Sequence, residues 1–472
     1  MSEPTASFKP SLGLLDATMI VAGSMIGSGI FIVSADITQH VGSAGWLIFV
    51  WVITGFMTIT AAVNYGELSG MFPRAGGQYV YLKEAYNPIT GFLYGWSFFA
   101  VIQTGTIAAV GVAFSNFAGV FFPILELKDE NIFLHLGPAK VHYGQLLTIL
   151  LLAFLTYVNS RGIRTGKIIQ TSFTVTKLLS LFGLILFGVL LGASAGVWHA
   201  NWTAPWHMQS LDRNGGLSAV LGVGVLGAIA ASMVGSIFSS DAWNNVTFIA
   251  GEIKNPKKNI GLSLFLGTLI VSIIYVSTNL MYTGVLPLHE IAFAPQGRVA
   301  AAASQVIFGQ GGVYLIAAMI MISTFGCDNG LVLAGARVYY TMAKDGLFFR
   351  QAGKLNRFAV PQWALWAQLV VATILCLSGT YNDLLEMVAF VAVLFYALTI
   401  MGIFILRKRM PDAPRPYRAF GYPVLSIIYI LLALAFCIAL IIEKPRYSVW
   451  GLIIVLAGIP LYFLAVQGKK RD

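Results

Sequence analysis

Twelve stretches of this chain run for about 18 residues or more with little or no charge, which limits it to very few folds. They lie near residues 14–38, 44–70, 89–122, 143–160, 168–194, 217–250, 260–284, 312–342, 362–380, 383–406, 421–442 and 448–467. A helix needs about 20 apolar residues to cross the hydrocarbon core of a bilayer. Inside lipid every backbone polar group must find its partner within the protein, so such runs fold as helices. Charged residues are only 10% of the 472, against about 25% in a soluble chain. That is too little charge to cover a chain that is 57% hydrophobic in water. The expectation is an all-α polytopic membrane protein with 12 transmembrane helices, forming one membrane domain over residues 1–472.

The net charge of +10 does not point to nucleic acid, because the basic residues form no patch and fall in short segments between apolar runs. If the N-terminus is cytoplasmic and twelve spans alternate, 21 lysines and arginines fall inside and 6 outside, with Lys177 and Arg337 within spans. That bias puts both termini in the cytoplasm. The start, MSEPTASFKP, lacks a basic region followed by a short apolar core, so no cleaved signal peptide is expected. Trp198, Trp202 and Trp206 cluster in an outer loop and read as interfacial anchors or as a short helix lying on the membrane. Cys327, Cys376 and Cys437 lie within apolar runs as small core side chains. The six histidines sit in outer loops or at span edges without ligand spacing, so neither a metal, a cofactor nor an enzyme is expected. No repeated filter sequence suggests a channel.

Two spans carry unusual polar chemistry. Span one contains Gly23-Ser24-Met25-Ile26-Gly27-Ser28-Gly29-Ile30-Phe31. Three glycines weaken a helix by about 1 kcal/mol each relative to alanine. Unwound backbone survives at membrane depth only against protein or a watery cavity. A break there exposes amides at a new helix start, which suit a carboxylate, and carbonyls at the preceding end, which suit an ammonium. A zwitterion fits both poles. The same glycines also match a small-residue packing motif. Span six contains Phe238-Ser239-Ser240-Asp241-Ala242-Trp243-Asn244-Asn245, polar where the bilayer is deep. Two broken helices five spans apart fit a carrier built from inverted repeats, with the site between them.

Lys177 sits deep in an apolar run. An intramembrane ammonium is a functional candidate by default. It either braces the break in span one against span eight or pairs structurally. Asp241 and Asp328 are the acidic counterparts, and each is open to a substrate role or to pairing with a polar backbone end.

Gly27-Ser28-Gly29-Ile30-Phe31, and Phe72-Pro73-Arg74-Ala75-Gly76-Gly77-Gln78-Tyr79 after span two, resemble signatures of the amino acid–polyamine–organocation superfamily. The span-six segment with Gly251-Glu252-Ile253-Lys254-Asn255-Pro256, and Ser323-Thr324-Phe325-Gly326 with Asn329-Gly330 and Arg337, resemble its L-type amino acid transporter branch. The resemblance covers about Leu12 to Arg418. It implies a LeuT-type fold with a 5+5 inverted repeat over about 14–194 and 217–406, unwound helices 1 and 6, and two peripheral helices over 421–467. It also implies that the amides of Ser28 and Gly29, beside Gly27, hold a substrate carboxylate. The carbonyls of Met25, Phe238 and Asp241 would receive its amine, the Phe238 ring would gate the outer side, and Asn244 would polarise the unwound segment. Lys177 matches a lysine that occupies the sodium position in sodium-independent members. Eukaryotic members carry a heavy-chain cysteine in the second outer loop, and about 123–142 has none. A stand-alone carrier of the bacterial inner membrane is therefore expected. It would exchange neutral amino acids, small ones preferred; proton coupling through Lys177 is the alternative.

Overall fold

The structure, a computed structural model, describes residues 10–136, 139–212, 216–220, 222–378 and 381–470, with backbone alone for 136, 139, 163–171, 217, 223 and 467–470. Residues 1–9, Arg213, Arg471 and the Gly379–Thr380 turn, all used in the sequence reading, lie outside the described residues. The helices are α1 (Leu14–Met25), α2 (Gly29–Val41), α3 (Ala44–Met71), α4 (Gln78–Ala85), α5 (Pro88–Ser97) and α6 (Gln103–Ala118). They continue as α7 (Tyr143–Ser160), α8 (Ile163–Phe187), α9 (Ala195–Trp202), α10 (Val223–Ser239), α11 (Asn245–Phe248), α12 (Pro256–Val285) and α13 (Leu288–Ala292). The last six are α14 (Val299–Phe308), α15 (Gln310–Lys344), α16 (Gln362–Ser378), α17 (Tyr381–Arg409), α18 (Val424–Glu443) and α19 (Pro445–Lys470). Two small antiparallel hairpins are present, β1 (Ile132–Leu136) with β2 (Ala139–His142) and β3 (Gln209–Leu211) with β4 (Leu217–Ala219). The first three strands lie in connections, and β4 takes the start of the run read as span six, whose helix begins only at Val223.

Among the described residues nine helical segments are long and apolar enough to cross a membrane, and the bent pair α1–α2 makes ten. The two other expected spans appear as α10 and α16, apolar helices of 17 residues, each about 26 Å long. Leu150, Leu179, Phe182, Val370, Leu431 and Leu464 stand on outer helix faces and are 60–67% exposed. An apolar belt of that extent needs lipid around it. This is a multi-span membrane protein.

Packing puts the two polar segments together. α1 lies against α8, α12 and α15, while α2 lies against α10, and α12 also runs along α3. At one end of the bundle the loops rich in lysine and arginine are pinned by ion pairs. Lys83 Nζ lies 2.6 Å from Asp345 Oδ2, and the buried Arg337 Nε lies 3.2 Å from Glu252 Oε1. Glu67 accepts from Arg407 Nη2 at 2.6 Å and from the Ala419 amide at 2.7 Å. The amides of Ser11 and Leu12 donate to the Glu252 carbonyl there. At the opposite end a cavity of about 590 Å³ reaches inward from His40 and Lys444 to Tyr381. Asp36, Asn116 and Glu386 give its wall polar groups. The bundle is thus closed at the basic end and open at the other.

Candidate functional site

Both polar segments are breaks. α1 stops at Met25, the chain turns extended at Ile26 (φ −75°, ψ 91°), and α2 starts at Gly29 with its axis bent by 42°. Among the described residues the amides of Ser28 and Gly29 donate to no backbone carbonyl, so they are the free donors that a helix start leaves. α10 stops at Ser239, and the helix cannot resume through Ala242, whose φ of +61° is left-handed. A four-residue turn of helix then begins at Asn245.

The breaks meet at Gly29. A Cβ there would lie 1.9 Å from Ser239 Oγ and 2.6 Å from Ser239 Cβ, so only glycine permits this approach. Tyr275 of α12 ties them further: its hydroxyl lies 3.0 Å from the Met25 carbonyl and 3.0 Å from the Ser239 carbonyl, and its one proton is shared between them. Nothing in the sequence marked Tyr275, because its partners are 250 and 36 residues away. We expect Tyr275→Phe to slow substrate uptake about tenfold in proteoliposomes. That corresponds to 1.4 kcal/mol, within the range for stranding buried carbonyls. An unchanged rate would mean that the bridge is idle.

Lys177 is fully buried. Its three N–H donors point at three carbonyls: Gly23 at 2.6 Å, Ile26 at 2.7 Å and Ser323 at 3.4 Å. Two lie at the end of α1 and one is on α15. Ser323 Oγ adds contacts to the Ile26 and Gly27 carbonyls at 3.4 and 3.3 Å, and Cys327 Sγ donates to the Ser24 carbonyl at 3.1 Å. Cys327 therefore does more than fill space. The carbonyls freed by unwinding α1 are thus largely spent on Lys177 and α15.

The remaining sequence candidates separate. Ser28 Oγ is 3.0 Å from Tyr381 OH, and the Phe238 ring meets Tyr381 edge-on at 6.2 Å, next to the cavity. Gly27 packs toward Cys327. The Met25 carbonyl, read as an amine acceptor, already takes the Gly27 amide and Tyr275, and the Phe238 carbonyl takes the Asp241 amide. The Asp241 carboxylate is turned to the Tyr396 hydroxyl, and Tyr396 packs with Trp243 and Tyr65. Asn244 is turned away from the break in α1: its Nδ2 donates to Gln78 Oε1 at 3.0 Å, and Gln78 Nε2 donates to Thr399 Oγ1 at 3.0 Å. Asn244 thus links the span-six break to the motif after span two. Asp328 faces Gly111, on the side of α15 toward α6. It is fully buried, and both its oxygens lack hydrogen-bond partners among the described residues.

The sequence itself matches known proteins along almost its whole length. The family described as amino acid permease matches residues 12–466. The human large neutral amino acids transporter small subunit 2 is 28% identical over 473 aligned positions, covering 98% of this chain and 82% of that protein. The human b(0,+)-type amino acid transporter 1 is 27% identical over 471 positions, covering 98% and 90%. The mouse Asc-type amino acid transporter 1 is 29% identical over 474 positions, covering 98% and 83%. Two broken, mutually braced helices at the end of a membrane cavity, in a chain matched from Leu12 to Val466, place this protein in the amino acid permease family, a family of transporters and not of enzymes.

Proposed function

We propose that the protein exchanges neutral L-amino acids across the membrane by alternating access, without sodium and with a preference for small side chains. The observation that carries this reading is the pair of breaks held side by side by Gly29 and Tyr275 at the end of the cavity. The free amides of Ser28 and Gly29 form the carboxylate pole. Backbone oxygens of the two breaks form the ammonium pole, those of Phe238 and Asp241 with a lone pair to spare and that of Met25 when Tyr275 gives its proton to the Ser239 carbonyl instead, with Phe238 and Tyr381 closing over the substrate on the cavity side. Lys177 supplies a fixed positive charge between α1 and α15, which makes a metal cation there unnecessary. Three relatives are named as transporters of amino acids, one of them of large neutral ones.

In the same reading the chain has twelve spans in a LeuT-type arrangement. Five-helix repeats cover about 14–194 and 217–406, and two peripheral helices lie over 421–467. The basic, closed end is cytoplasmic, with both termini, in a bacterial plasma membrane. No heavy chain is disulfide-linked, because 123–142 contains no cysteine.

The test is uptake of labelled alanine into sodium-free proteoliposomes at equal pH, with and without internal unlabelled alanine. Exchange requires internal amino acid for uptake. Equal filling of empty vesicles overturns exchange. Filling only under an imposed proton gradient replaces it with proton symport through Lys177.

A further inference from the structure

A second large concavity lies away from the breaks, on the outer wall of the basic end. It is a groove of about 800 Å³ between α3, α12 and the segment after α17. On α12 it is lined by Lys257, Lys258, Gly261, Leu262 and Phe265. These positions fall at intervals of four along one face of the helix, with the two lysines in its first turn. The face then becomes apolar for about 12 Å as far as Phe265. Val63 of α3, the antiparallel neighbour, enters the groove about 12 Å from the end of its own helix at Met71. Both helices therefore place the cationic mouth at the bundle end and the apolar floor inside the bilayer. Pro416, Tyr417 and Phe420 form the third wall, and Phe420 is 76% exposed. That wall is held by Glu67, which binds Arg407, Arg415 and the Ala419 amide.

The two lysines are exposed, and among the described residues neither forms an ion pair. Every other lining residue is uncharged. A surface that is cationic at the water boundary and apolar below it is complementary to a molecule with an anionic head and a hydrocarbon tail. A second copy of the chain fits poorly, because it would have to bring an anion to the lysines at the water boundary and, on the same surface, an apolar stripe for the face below them. We infer that this groove binds one anionic glycerophospholipid, with its phosphate at Lys257 and Lys258 and an acyl chain along Gly261, Leu262, Phe265 and Val63.

The site would reach the transport machinery through α12 itself. Phe265 lies ten residues before Tyr275, the residue that joins the two breaks, and both are on one continuous helix. Lipid seated in the groove would fix α12 against α3 and the 416–420 wall, and so hold Tyr275 in place.

The experiment is native mass spectrometry of the purified full chain after incubation with equimolar phosphatidylglycerol and phosphatidylcholine. Each lysine at an anionic headgroup is worth about fivefold in affinity, so the pair gives a preference of roughly 30-fold for phosphatidylglycerol. Lys257→Gln with Lys258→Gln is expected to bring retention down to the phosphatidylcholine level, while Lys257→Arg with Lys258→Arg keeps it. Equal retention of the two lipids by the native chain overturns the proposal, as does an undiminished preference in the glutamine variant. Displacement by excess soluble glycerol 3-phosphate would also overturn it, because it would show a phosphate site without a lipid tail. The readout does not depend on transport, so it stands or falls apart from the exchange mechanism. In proteoliposomes of neutral lipid the glutamine variant should transport as the native chain does, and adding phosphatidylglycerol should speed only the native chain.

Discussion

Replacing Lys177 with methionine is expected to abolish amino acid uptake, at least 100-fold below the native rate. The side chain keeps its length and loses its donors. The Gly23 and Ile26 carbonyls would then lose contacts of 2.6 and 2.7 Å in a place where Lys177 is fully buried. A hydrogen bond from a charged group is worth about 1.5–3 kcal/mol, so two of them amount to roughly 3–6 kcal/mol. This exceeds what a factor of 100 requires. Water can reach these carbonyls only by opening the contact between α1 and α15, so the end of α1 should loosen. Arginine should not rescue the variant, because a planar guanidinium neither fits the same space nor points three donors at these carbonyls. Uptake near the native rate in the methionine variant would show that the ammonium is a structural passenger.

The second large effect is expected at Gly29. Gly29→Ala brings a methyl group to 2.6 Å from Ser239 Cβ and 3.0 Å from Ser239 Cα. Rotating the serine hydroxyl removes only the shortest clash, since the backbone of α10 must also move. Overpacking of this kind costs about 1–3 kcal/mol, and here the whole cost falls on the relative position of the two breaks. We expect uptake to fall by about 10-fold to 100-fold. Ser239→Gly in the same chain removes the Cβ and should restore most of the loss, measured as the initial uptake rate. Failure of that pair to recover would mean that Gly29 matters for its backbone freedom and not for the close approach.

The sequence spoke most clearly where physics is local. A run of 20 apolar residues has one solution in lipid, and the helices accordingly follow the apolar runs to within a few residues, from Ala44–Met71 to Gln310–Lys344. The glycines of span one and the polar run of span six announced that helix would fail there. The structure locates the failures at Ile26–Ser28 and after Ser239. Contacts across the fold were not legible. Tyr275 looked like any tyrosine in an apolar span, and Tyr381 like the start of another helix. The bond from Asn244 to Gln78 spans 166 residues, and the partner of Asp241 lies 155 residues away. A single sequence shows which groups need partners and is silent on which partner a fold brings. The hairpins at 132–142 and 209–219 were missed because their strands are only three to five residues long, although Gly137-Pro138 and Asn214-Gly215 between them are turn signals that the sequence reading passed over. Asp328 was visible as a buried acid, yet neither sequence nor structure supplies it a hydrogen-bond donor among the described residues.

The central claim is that the two breaks read both poles of a zwitterion. Its most direct test is equilibrium binding of labelled alanine to the purified protein, in competition with alaninamide, which lacks the carboxylate, and N-acetylalanine, which lacks the ammonium. The account predicts that unlabelled alanine displaces the label, and that neither blocked compound does so at a hundredfold higher concentration. Displacement by either one at the same concentration as alanine would show that one pole is not read, and would contradict the assignment of the breaks as the substrate site.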